Sequence, residues 1–479
     1  MMKEMENRYL ILGGGISGLT LGWKLASAGA AAEILEASCR PGGLAGTLRE
    51  DGYSLDFGPH SFFSEDEEIS RTVRELFDPP LKGKTRRVKF YFEGNYLDYP
   101  LTAFHILFQM GPGPGLRALL SLLKAKLFDP EKAAQNNLEN QSVEEWAKQN
   151  FGDYLYQTFF KPYTEQFWKI PACELSARSI PSHTRLSFLK TLGHLLKKYN
   201  GVHSLSIIDR ERLPTYYPST GYGEISERMA NRFLSRGGRL RLSCRVTGIH
   251  QLPDGGFEIE YEKEGREKWA AGHCVISTLP LPILIHSFDP PPPAAVLEAA
   301  SKLDYRPLLM LGMATQKQNI LPCDYLYLLH RPYNRITEMN KFSERTSPEG
   351  ENILAAEIPC RRGDEIWNAS KEKLFERCIE SLSQDGFLKR QDVSRLLLVK
   401  APYAYPIYRK NYAGHLAALM EFIQNKRNFY TLGRSGEFLY GDADQCMRRA
   451  FDLAEKLLNG EKILRPETES ALSPAEFAQ

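Results

Sequence analysis

A glycine-rich segment near the start of the chain has the residue types and the spacing that bind a dinucleotide. Gly13, Gly15 and Gly18 occupy the glycine positions of a G-x-G-x-x-G motif. The first glycine of this motif permits a tight turn, the second lets backbone N–H groups approach a pyrophosphate, and the third lets a helix pack close to a strand. Glu36 follows at about the interval of an acid that binds ribose hydroxyl groups.

The residues around the motif predict the elements that it needs. Residues 8–12 and 32–36 are strand-like runs, and residues 19–28 have a helical pattern that ends at Gly29. The N-terminus of that helix would direct its partial positive charge at the phosphates. A glycine-rich turn without a ligand is the alternative, but the strand, the helix and the acid in register favour a binding site.

A second glycine-rich loop follows the acid and carries Arg40, Gly42 and Gly43. This R-x-G-G segment resembles that of a flavoprotein group that includes amine oxidases, protoporphyrinogen oxidases, phytoene desaturases and UDP-galactopyranose mutases. The resemblance implies FAD rather than NAD, with Arg40 and the two glycines beside the pyrophosphate and the flavin. A surface guanidinium is the alternative role for Arg40.

Further segments resemble the UDP-galactopyranose mutases and related flavoproteins, in the same order along the chain. They are residues 55–63, 160–171, 333–343, 404–407 and 433–444. The resemblance adds to the cofactor site Gly58, Pro59, His60, Val246, Gly433, Arg434, Tyr440, Asp442 and Asp444. It places on the substrate side Tyr163, Trp168, Arg335, Tyr405 and Tyr440. By the same resemblance, the last helix points its N-terminus at the pyrimidine edge of the flavin. The alternative role for Asp442 or Asp444 is the N-cap of that helix.

Arg335, His60 and Tyr405 are the candidates for catalysis. Arg335, carried over from the mutase pattern, would hold a diphosphate because a guanidinium forks onto paired oxygens. An ion pair with Glu338 is the alternative for that arginine. His60 would lie next to the isoalloxazine, or would make a structural hydrogen bond within its loop.

The aromatic residues have two interpretations as well. Tyr405 and Tyr440 would supply hydroxyl groups at the pocket wall. Trp168 would stack on a base, but packing in the core is at least as common for a tryptophan.

Three positions depart from the mutase pattern. Phe63 stands where the mutases carry a second histidine, and residues 357–358 lack the expected tyrosine. The expected arginine aligns near residues 182–183, so Arg178 or Arg185 would have to replace it. Each departure removes a group beside the sugar or its phosphates, whereas FAD binding is unaffected.

Two classes of enzyme follow from these residues. The first is an FAD-dependent oxidoreductase, in which a polar or nucleotide-sugar-like substrate gives hydride to flavin N5. The second is a mutase-like flavoenzyme without net redox change, in which reduced N5 attacks an anomeric carbon. A flavin-binding protein without turnover is a third and weaker interpretation. The sequence modestly favours the oxidoreductase.

The predicted fold is α/β, a Rossmann-like FAD-binding domain of the glutathione-reductase kind with an inserted mixed α/β substrate domain. Residues 1–85, 215–280 and 425–479 would form the FAD-binding domain. Residues 86–214 and 281–424 would form the substrate domain.

A basic apolar helix is predicted over residues 116–128, after a loop at 111–115. We expect that helix to be buried in the substrate domain, and contact with a membrane surface is the less favoured alternative.

Composition limits the partners and the compartment. The 479 residues include 61 Lys and Arg against 59 Asp and Glu, so no global field favours nucleic acid or an anionic membrane.

The eight scattered cysteines form no C-x-x-C pair, which argues against a metal site or a disulfide framework and predicts a cytoplasmic location. No apolar stretch approaches the length of a transmembrane helix. A small-molecule substrate is the expected partner, and the oligomeric state is not indicated.

Overall fold

The computed structural model describes residues 8–92, 94–98, 112–128, 138, 141–180 and 213–461. A five-stranded parallel sheet has the strand order β18–β11–β1–β2–β7. Its strands are β1 (Arg8–Leu12), β2 (Ala31–Leu35), β7 (Arg239–Arg241), β11 (Cys274–Ser277) and β18 (Phe429–Thr431). The order reverses at β1, and ligands of such sheets bind at this point, outside the carboxyl ends of the strands.

Three helices cover one face of the parallel sheet. They are α1 (Ile16–Ser27), α6 (Glu224–Ser235) and α13 (Ala443–Leu458). A parallel sheet is buried on both faces, and β1 accordingly has fully buried residues at Leu10, Ile11 and Leu12. The predicted Rossmann-like α/β fold is therefore confirmed.

A four-stranded mixed sheet, in the order β10–β9–β8–β12, packs near the other face. Its strands are β8 (Arg245–Gln251), β9 (Phe257–Lys263), β10 (Arg266–Gly272) and β12 (Phe288–Asp289). Its core is shared with α7 (Leu281–His286), α8 (Ala294–Lys302) and α11 (Tyr412–Gln424). A hairpin of β3 (Thr47–Glu50) and β4 (Tyr53–Asp56) and the helix α2 (Glu67–Arg74) follow the second glycine-rich loop.

A seven-stranded mixed sheet has the order β17–β13–β16–β15–β14–β5–β6. Its strands are β5 (Val88–Phe92), β6 (Asn95–Asp98), β13 (Tyr305–Thr315), β14 (Tyr325–Leu328), β15 (Arg335–Glu338), β16 (Asn352–Glu357) and β17 (Val393–Pro406). Alternate residues of the buried β13 face two separate cores.

Helices lie on both sides of this sheet. One core includes α4 (Val143–Leu155), a π-helical turn (Tyr156–Phe160) and α5 (Lys161–Trp168), and the other includes α10 (Lys371–Gln384). The other α-helices of the described ranges are α3 (Pro112–Phe128), α9 (Glu365–Asn368) and α12 (Gly433–Gly436). No helix in the described part of the chain could span a bilayer.

Two local predictions were wrong. The alternation of polar and apolar residues over 239–249 predicts a single strand, but β7 and β8 belong to different sheets, and the chain turns between them at Ser243, which has a positive φ of 56°. Residues 111–115 read as a loop, but α3 begins at Pro112. Prolines in a first turn remove no intrahelical hydrogen bond, since the first four N–H groups of a helix have no partner.

Candidate active site

A cavity of about 710 Å³ lies at the carboxyl ends of the parallel strands. Its volume is within the range of roughly 300–1,000 Å³ that is common for ligand sites. The predicted cofactor residues in its lining are Gly13, Gly15, Glu36, Arg40, Gly42, Gly43, His60, Val246, Gly433, Arg434, Asp442 and Asp444. The predicted residues outside this lining are Gly18, Gly58, Pro59, Tyr163, Trp168, Arg335, Tyr405 and Tyr440.

The glycines of the first motif have different spatial roles. A Cβ on Gly13 would lie 2.1 Å from Thr278 Oγ1, and the φ of Gly13 is +106°. A Cβ on Gly18 would lie 2.1 Å from the carbonyl oxygen of Gly13, so this glycine allows the close contact of α1 with the turn. Gly15 differs, because the nearest atom to its added Cβ is the Gly42 carbonyl oxygen at 3.9 Å. A side chain at Gly15 would therefore enter the cavity.

Glu36 is held in place at the end of β2. Its Oε2 accepts a hydrogen bond from the Gly14 N–H at 2.6 Å. Its Oε1 accepts from the N–H and the hydroxyl of Ser38, at 2.8 and 2.7 Å. A carboxylate offers about four lone-pair sites, so Glu36 can accept a further hydrogen bond from a ribose hydroxyl.

The two glycine-rich loops lie against each other. The Gly42 N–H donates to the Gly14 carbonyl at 2.8 Å, and Gly15 and Gly42 form an isolated β-bridge. Arg40 Nη1 donates to the Thr47 carbonyl at 3.1 Å, which ties the second loop to β3. Both loops therefore form one wall of the cavity beside the N-terminus of α1.

The N-terminus of α13 forms another wall. Asp442 occupies the N-cap position in a capping box with Gln445, so Asp442 rather than Asp444 is the N-cap. Asp444 is buried and accepts a hydrogen bond from Ser64 Oγ at 3.1 Å. Arg434 Nε donates to the Gly441 carbonyl at 3.0 Å, which holds the loop that leads into α13.

These walls fit the ribose and the phosphates of a dinucleotide. Two helix N-termini, α1 and α13, meet one cavity, and an uncapped N-terminus such as that of α1 attracts phosphate groups. The space at Gly15 allows a pyrophosphate to approach the backbone.

A cluster of two arginines and one glutamate lies beside the cavity, in the seven-stranded sheet. Arg335 Nη2 is 2.5 Å from one oxygen of Glu357, and Arg306 Nη1 is 3.1 Å from the other. Arg335 stands opposite Glu357 in the β15–β16 register. Glu357 and Arg306 are buried, whereas the side chain of Arg335 is 14% exposed. We call these residues the arginine cluster.

The arginine cluster is ionised and carries an excess of positive charge. Burial raises the pKa of Glu357, but Arg335 and Arg306 outweigh that effect and lower it. Burial opposes the charge of Arg335, and Glu357 nevertheless holds its pKa well above the ordinary value. In the described part of the chain, Arg335 Nε and both Nε and Nη2 of Arg306 have no hydrogen-bond acceptor. The cluster can therefore bind an anion.

The alternative pairing of Arg335 with Glu338 was wrong. Glu338 is buried and accepts hydrogen bonds from the Leu321 N–H and from Asn352 Nδ2, both at 2.8 Å. Neighbouring residues of a strand point to opposite faces, so an i, i+3 pair does not meet in β15 as it would in a helix.

The predicted substrate-side aromatic residues come together next to this cluster. Tyr405 and Tyr440 stack with ring centroids 5.7 Å apart. Trp168 is only 6% exposed and packs edge-on against Tyr405, so it is a core residue whose ring also borders the tyrosines. The Arg434 guanidinium lies 5.0 Å from the Tyr440 ring centroid. Burial raises the pKa of Tyr163 and of Tyr405, so both phenols stay protonated donors.

His60 links the cavity to the arginine cluster. A Cβ on Gly58 would lie 3.6 Å from His60 Nε2 and 3.8 Å from Arg335 Nη2. Burial, with smaller effects of Arg434 and Arg335, lowers the pKa of His60 to about 4. His60 Nδ1 has no partner among the described residues. The ring is therefore neutral near pH 7 and is available for hydrogen bonding to a ligand.

The departures from the mutase pattern have structural counterparts. Phe63 lines the cavity, and the Arg86 guanidinium lies 5.4 Å from its ring centroid. Ile358 is fully buried beside Glu357 and brings no hydroxyl group to that position. Arg178, one of the two arginines that could replace the expected one, lies within the described ranges, and its backbone N–H donates to the hydroxyl of Ser176. Residues 182–183 and Arg185 lie outside the described ranges.

Arg306 and the role of Glu357 were not predicted. Arg306 precedes a long apolar run in β13, and Glu357 ends another in β16. A charge inside or beside a buried strand needs an opposite partner, and this is the signal that could have paired them. Which partner each one takes depends on the register of strands that are distant in sequence.

The model of the flavin-containing amine oxidoreductase family matches residues 16–414. This chain belongs to that family. It is a flavoenzyme, and its cofactor is FAD. The residues of the cavity are those that would hold FAD, and the structure provides the helix N-termini, the acid and the open glycine that this cofactor needs.

Individual relatives are distant. Chloroplastic protoporphyrinogen oxidase 1 of Arabidopsis thaliana is 25% identical over 329 residues, which are 65% of this chain and 59% of that protein. A probable UDP-galactopyranose mutase of Klebsiella pneumoniae is 23% identical over 462 residues, 95% of this chain and 96% of the mutase. A crystal structure of reduced UDP-galactopyranose mutase shares the fold with a TM-score of 0.79, at 18% identity over 99% of both chains.

Proposed function

We propose that this chain is an FAD-dependent oxidoreductase that acts on an anionic, nucleotide-sugar-like substrate. The arginine cluster carries the proposal, since two guanidinium groups share one carboxylate and leave donors without acceptors. Such a group recognises paired oxygens of a phosphate or diphosphate.

Arg335 would bind the substrate directly, because it is the partly exposed arginine of the cluster. Glu357 would act as a positioning residue, since its bond to Nη2 fixes the plane of the Arg335 guanidinium. Arg306 would keep Glu357 ionised from the opposite side. An anion bound here would lie close to His60 and thus at the edge of the cofactor cavity.

The other side chains would orient the substrate and exclude water. Tyr405 and Tyr440 form a wall of stacked rings, and their protonated hydroxyl groups can donate hydrogen bonds to sugar oxygens. His60 would accept or donate a hydrogen bond without carrying charge, because its pKa is about 4. Bound FAD would supply N5, which accepts hydride when oxidised and is nucleophilic when reduced.

A mutase-like reaction without net redox change is the second candidate. The match to the probable UDP-galactopyranose mutase covers nearly all of both chains, whereas the plant oxidase is covered to 59%. Phe63 and Ile358 argue against it, because both positions lack the polar group of the mutase pattern. Both candidates use the same anion site.

One anaerobic experiment distinguishes the two reactions. Candidate nucleotide-sugars are added to the oxidised holoenzyme, and the flavin absorption band is followed. Bleaching of that band by a substrate supports the oxidoreductase. The dithionite-reduced holoenzyme is then incubated with UDP-galactopyranose, and the sugars are separated by chromatography. Isomerisation without consumption of electrons would replace the oxidoreductase proposal by the mutase.

The cellular setting is part of the proposal. All eight cysteines are free thiols, and six of them are buried. Free thiols are typical of a reducing compartment, which supports the predicted cytoplasmic location. Extraction of the native protein under conditions that block thiol exchange, followed by titration of its free thiols with a thiol-specific reagent, would test this.

A further inference from the structure

Helix α3 has one buried face and one exposed face. Ala118 and Leu122 are 0% and 2% exposed and belong to a small core with residues of β5 and β6. On the other side Leu116, Leu120 and Leu123 are 58%, 57% and 43% exposed. Residues three and four apart are neighbours on a helix surface, so these leucines form one continuous stripe. We call it the leucine stripe.

The anchored face fixes the orientation of the leucine stripe. Helix α3 packs on α4, where Ser121 Oγ accepts the N–H of Tyr154 at 3.0 Å. A Cβ on Gly152 would lie 2.2 Å from the same Ser121 Oγ, so the two helices are in close contact. The helix therefore cannot rotate to bury the stripe without breaking this contact.

The charges on α3 are all of one sign. The helix contains Arg117, Lys124 and Lys126 and no acidic residue. Arg117 and Lys124 are exposed and border the leucine stripe. The acidic side chain of Asp153, on the adjacent α4, lies 3.5 Å from the ammonium group of Lys148.

We propose that the leucine stripe docks on the surface of an anionic phospholipid bilayer. An interfacial helix of this kind lies in the plane of the membrane, with its apolar side chains at the boundary of headgroups and acyl chains. Arg117 and Lys124 border the stripe and would contact the phosphate groups of anionic lipids.

Charge complementarity favours lipid over a second copy of the chain. A two-fold interface brings the same patch of both copies together. Because the helix has no carboxylate, Arg117 and Lys124 of two copies would meet only cations from the facing helix. An anionic lipid surface supplies the missing negative charge.

The test is co-sedimentation of the FAD-loaded full-length protein with vesicles. Mixed phosphatidylglycerol and phosphatidylcholine vesicles are compared with vesicles of phosphatidylcholine alone. We expect binding to the anionic vesicles that weakens as salt is added, because headgroup attraction is screened. The combined variant Leu116→Ser, Leu120→Ser and Leu123→Ser should reduce the partition coefficient about tenfold or more, because it removes the three apolar side chains that would be buried in the bilayer. Arg117→Gln with Lys124→Gln should remove most of the salt dependence.

A matched control carries the same change at exposed apolar residues of other helices. Leu234, Ile283 and Leu458 are 46%, 38% and 41% exposed. Their combined replacement by serine should leave vesicle binding unchanged. Far-UV circular dichroism and flavin content show whether each variant is folded.

Four outcomes would overturn the proposal. The first is equal binding to neutral and anionic vesicles, and the second is equal loss of binding in the control variant. The third is a dimer, seen by light scattering without vesicles, that the leucine variant abolishes. The fourth is a marked fall of the unfolding temperature in the leucine variant, which would show that the stripe is covered within the protein.

Discussion

At the scale of single residues, Glu357 is the centre of the proposed substrate site. It is fully buried, and each of its oxygens binds a different arginine. Removing one partner of a buried ion pair leaves a charge without compensation, so truncation of Arg335 would report on stability as well as on binding. Conservative substitutions are therefore the informative ones.

We expect Arg335→Lys to raise KM for an anionic substrate about tenfold or more, since a lysine keeps the charge but loses the planar fork. KM and kcat are measured separately, and flavin content should stay at the wild-type level. Arg331→Lys is the matched control, because the Arg331 guanidinium binds Asp385 at 2.6 and 2.7 Å outside the cluster. Equal effects of the two substitutions would contradict the role of Arg335.

The glycines of the first motif allow a second test. Gly15→Val should abolish FAD binding and leave the apoprotein folded, because the φ of Gly15 is −73° and its side chain would enter the cavity. Gly18→Ala should destabilise the fold itself by about 1–3 kcal/mol, since its Cβ would lie 2.1 Å from a backbone oxygen. Flavin absorbance and thermal unfolding of both apoproteins are the measurements. A destabilised Gly15→Val apoprotein with intact FAD affinity would reverse these assignments.

At the scale of elements, the β3–β4 hairpin ends in a buried acid that holds a distant segment. Asp56 accepts hydrogen bonds from Thr47 Oγ1, the Tyr217 hydroxyl and the Tyr222 N–H, at 2.5, 2.7 and 3.1 Å. Burial nevertheless dominates and raises the pKa of Asp56 to about 6. The carboxyl therefore connects the hairpin to the segment before α6 through three donors that favour its ionised form, whereas burial favours its protonated form.

The raised pKa of Asp56 predicts the direction in which the free energy of unfolding changes with pH. An unfolded Asp has a pKa of about 3.9, so between about pH 4 and 6 the folded chain holds a proton that the unfolded chain has lost. The free energy of unfolding should then fall by up to about 3 kcal/mol as the pH rises through this interval. Asp56→Asn should remove that fall in denaturant titrations at several pH values.

Asp51→Asn is the control for that substitution, because Asp51 lies in the turn of the same hairpin with its side chain 68% exposed. It should keep the wild-type pH dependence. An unchanged slope in Asp56→Asn would show that this carboxyl is ionised in the folded protein throughout the interval.

At the scale of the whole molecule, the cofactor cavity joins segments that are distant in sequence. Residues 13–17 and 35–46, 244–246, and 432–446 all contribute to its lining. The seven-stranded sheet has its own cores on both faces of β13. FAD binds only the folded form of the cavity and therefore stabilises the segments of the cavity together.

Removal of FAD should accordingly raise amide hydrogen exchange in all of these segments at once. The strands β13 and β16 should exchange at the same rate with and without FAD, and they serve as the internal control. Mass spectrometry of peptides from both forms provides the measurement. Faster exchange in β13 after FAD removal would show that the sheet and the cavity open as one unit.

The sequence by itself determined the cofactor wall. Gly13, Gly15, Gly18 and Glu36 interact within one βαβ unit, so their spacing fixes their geometry before any distant contact forms. Fold class and cofactor class follow from such local patterns, and both predictions are confirmed.

Only the tertiary structure decided which residues pair in the arginine cluster and which face of α3 is exposed. Glu357 is 22 residues from Arg335 and 51 residues from Arg306, and the β15–β16 register places Glu357, instead of Glu338, opposite Arg335. The leucines of α3 have the same sequence pattern whether they are covered or exposed. Their exposure depends on which face α4 and β5 occupy, because hydrophobic periodicity identifies an apolar residue but not the surface that it meets.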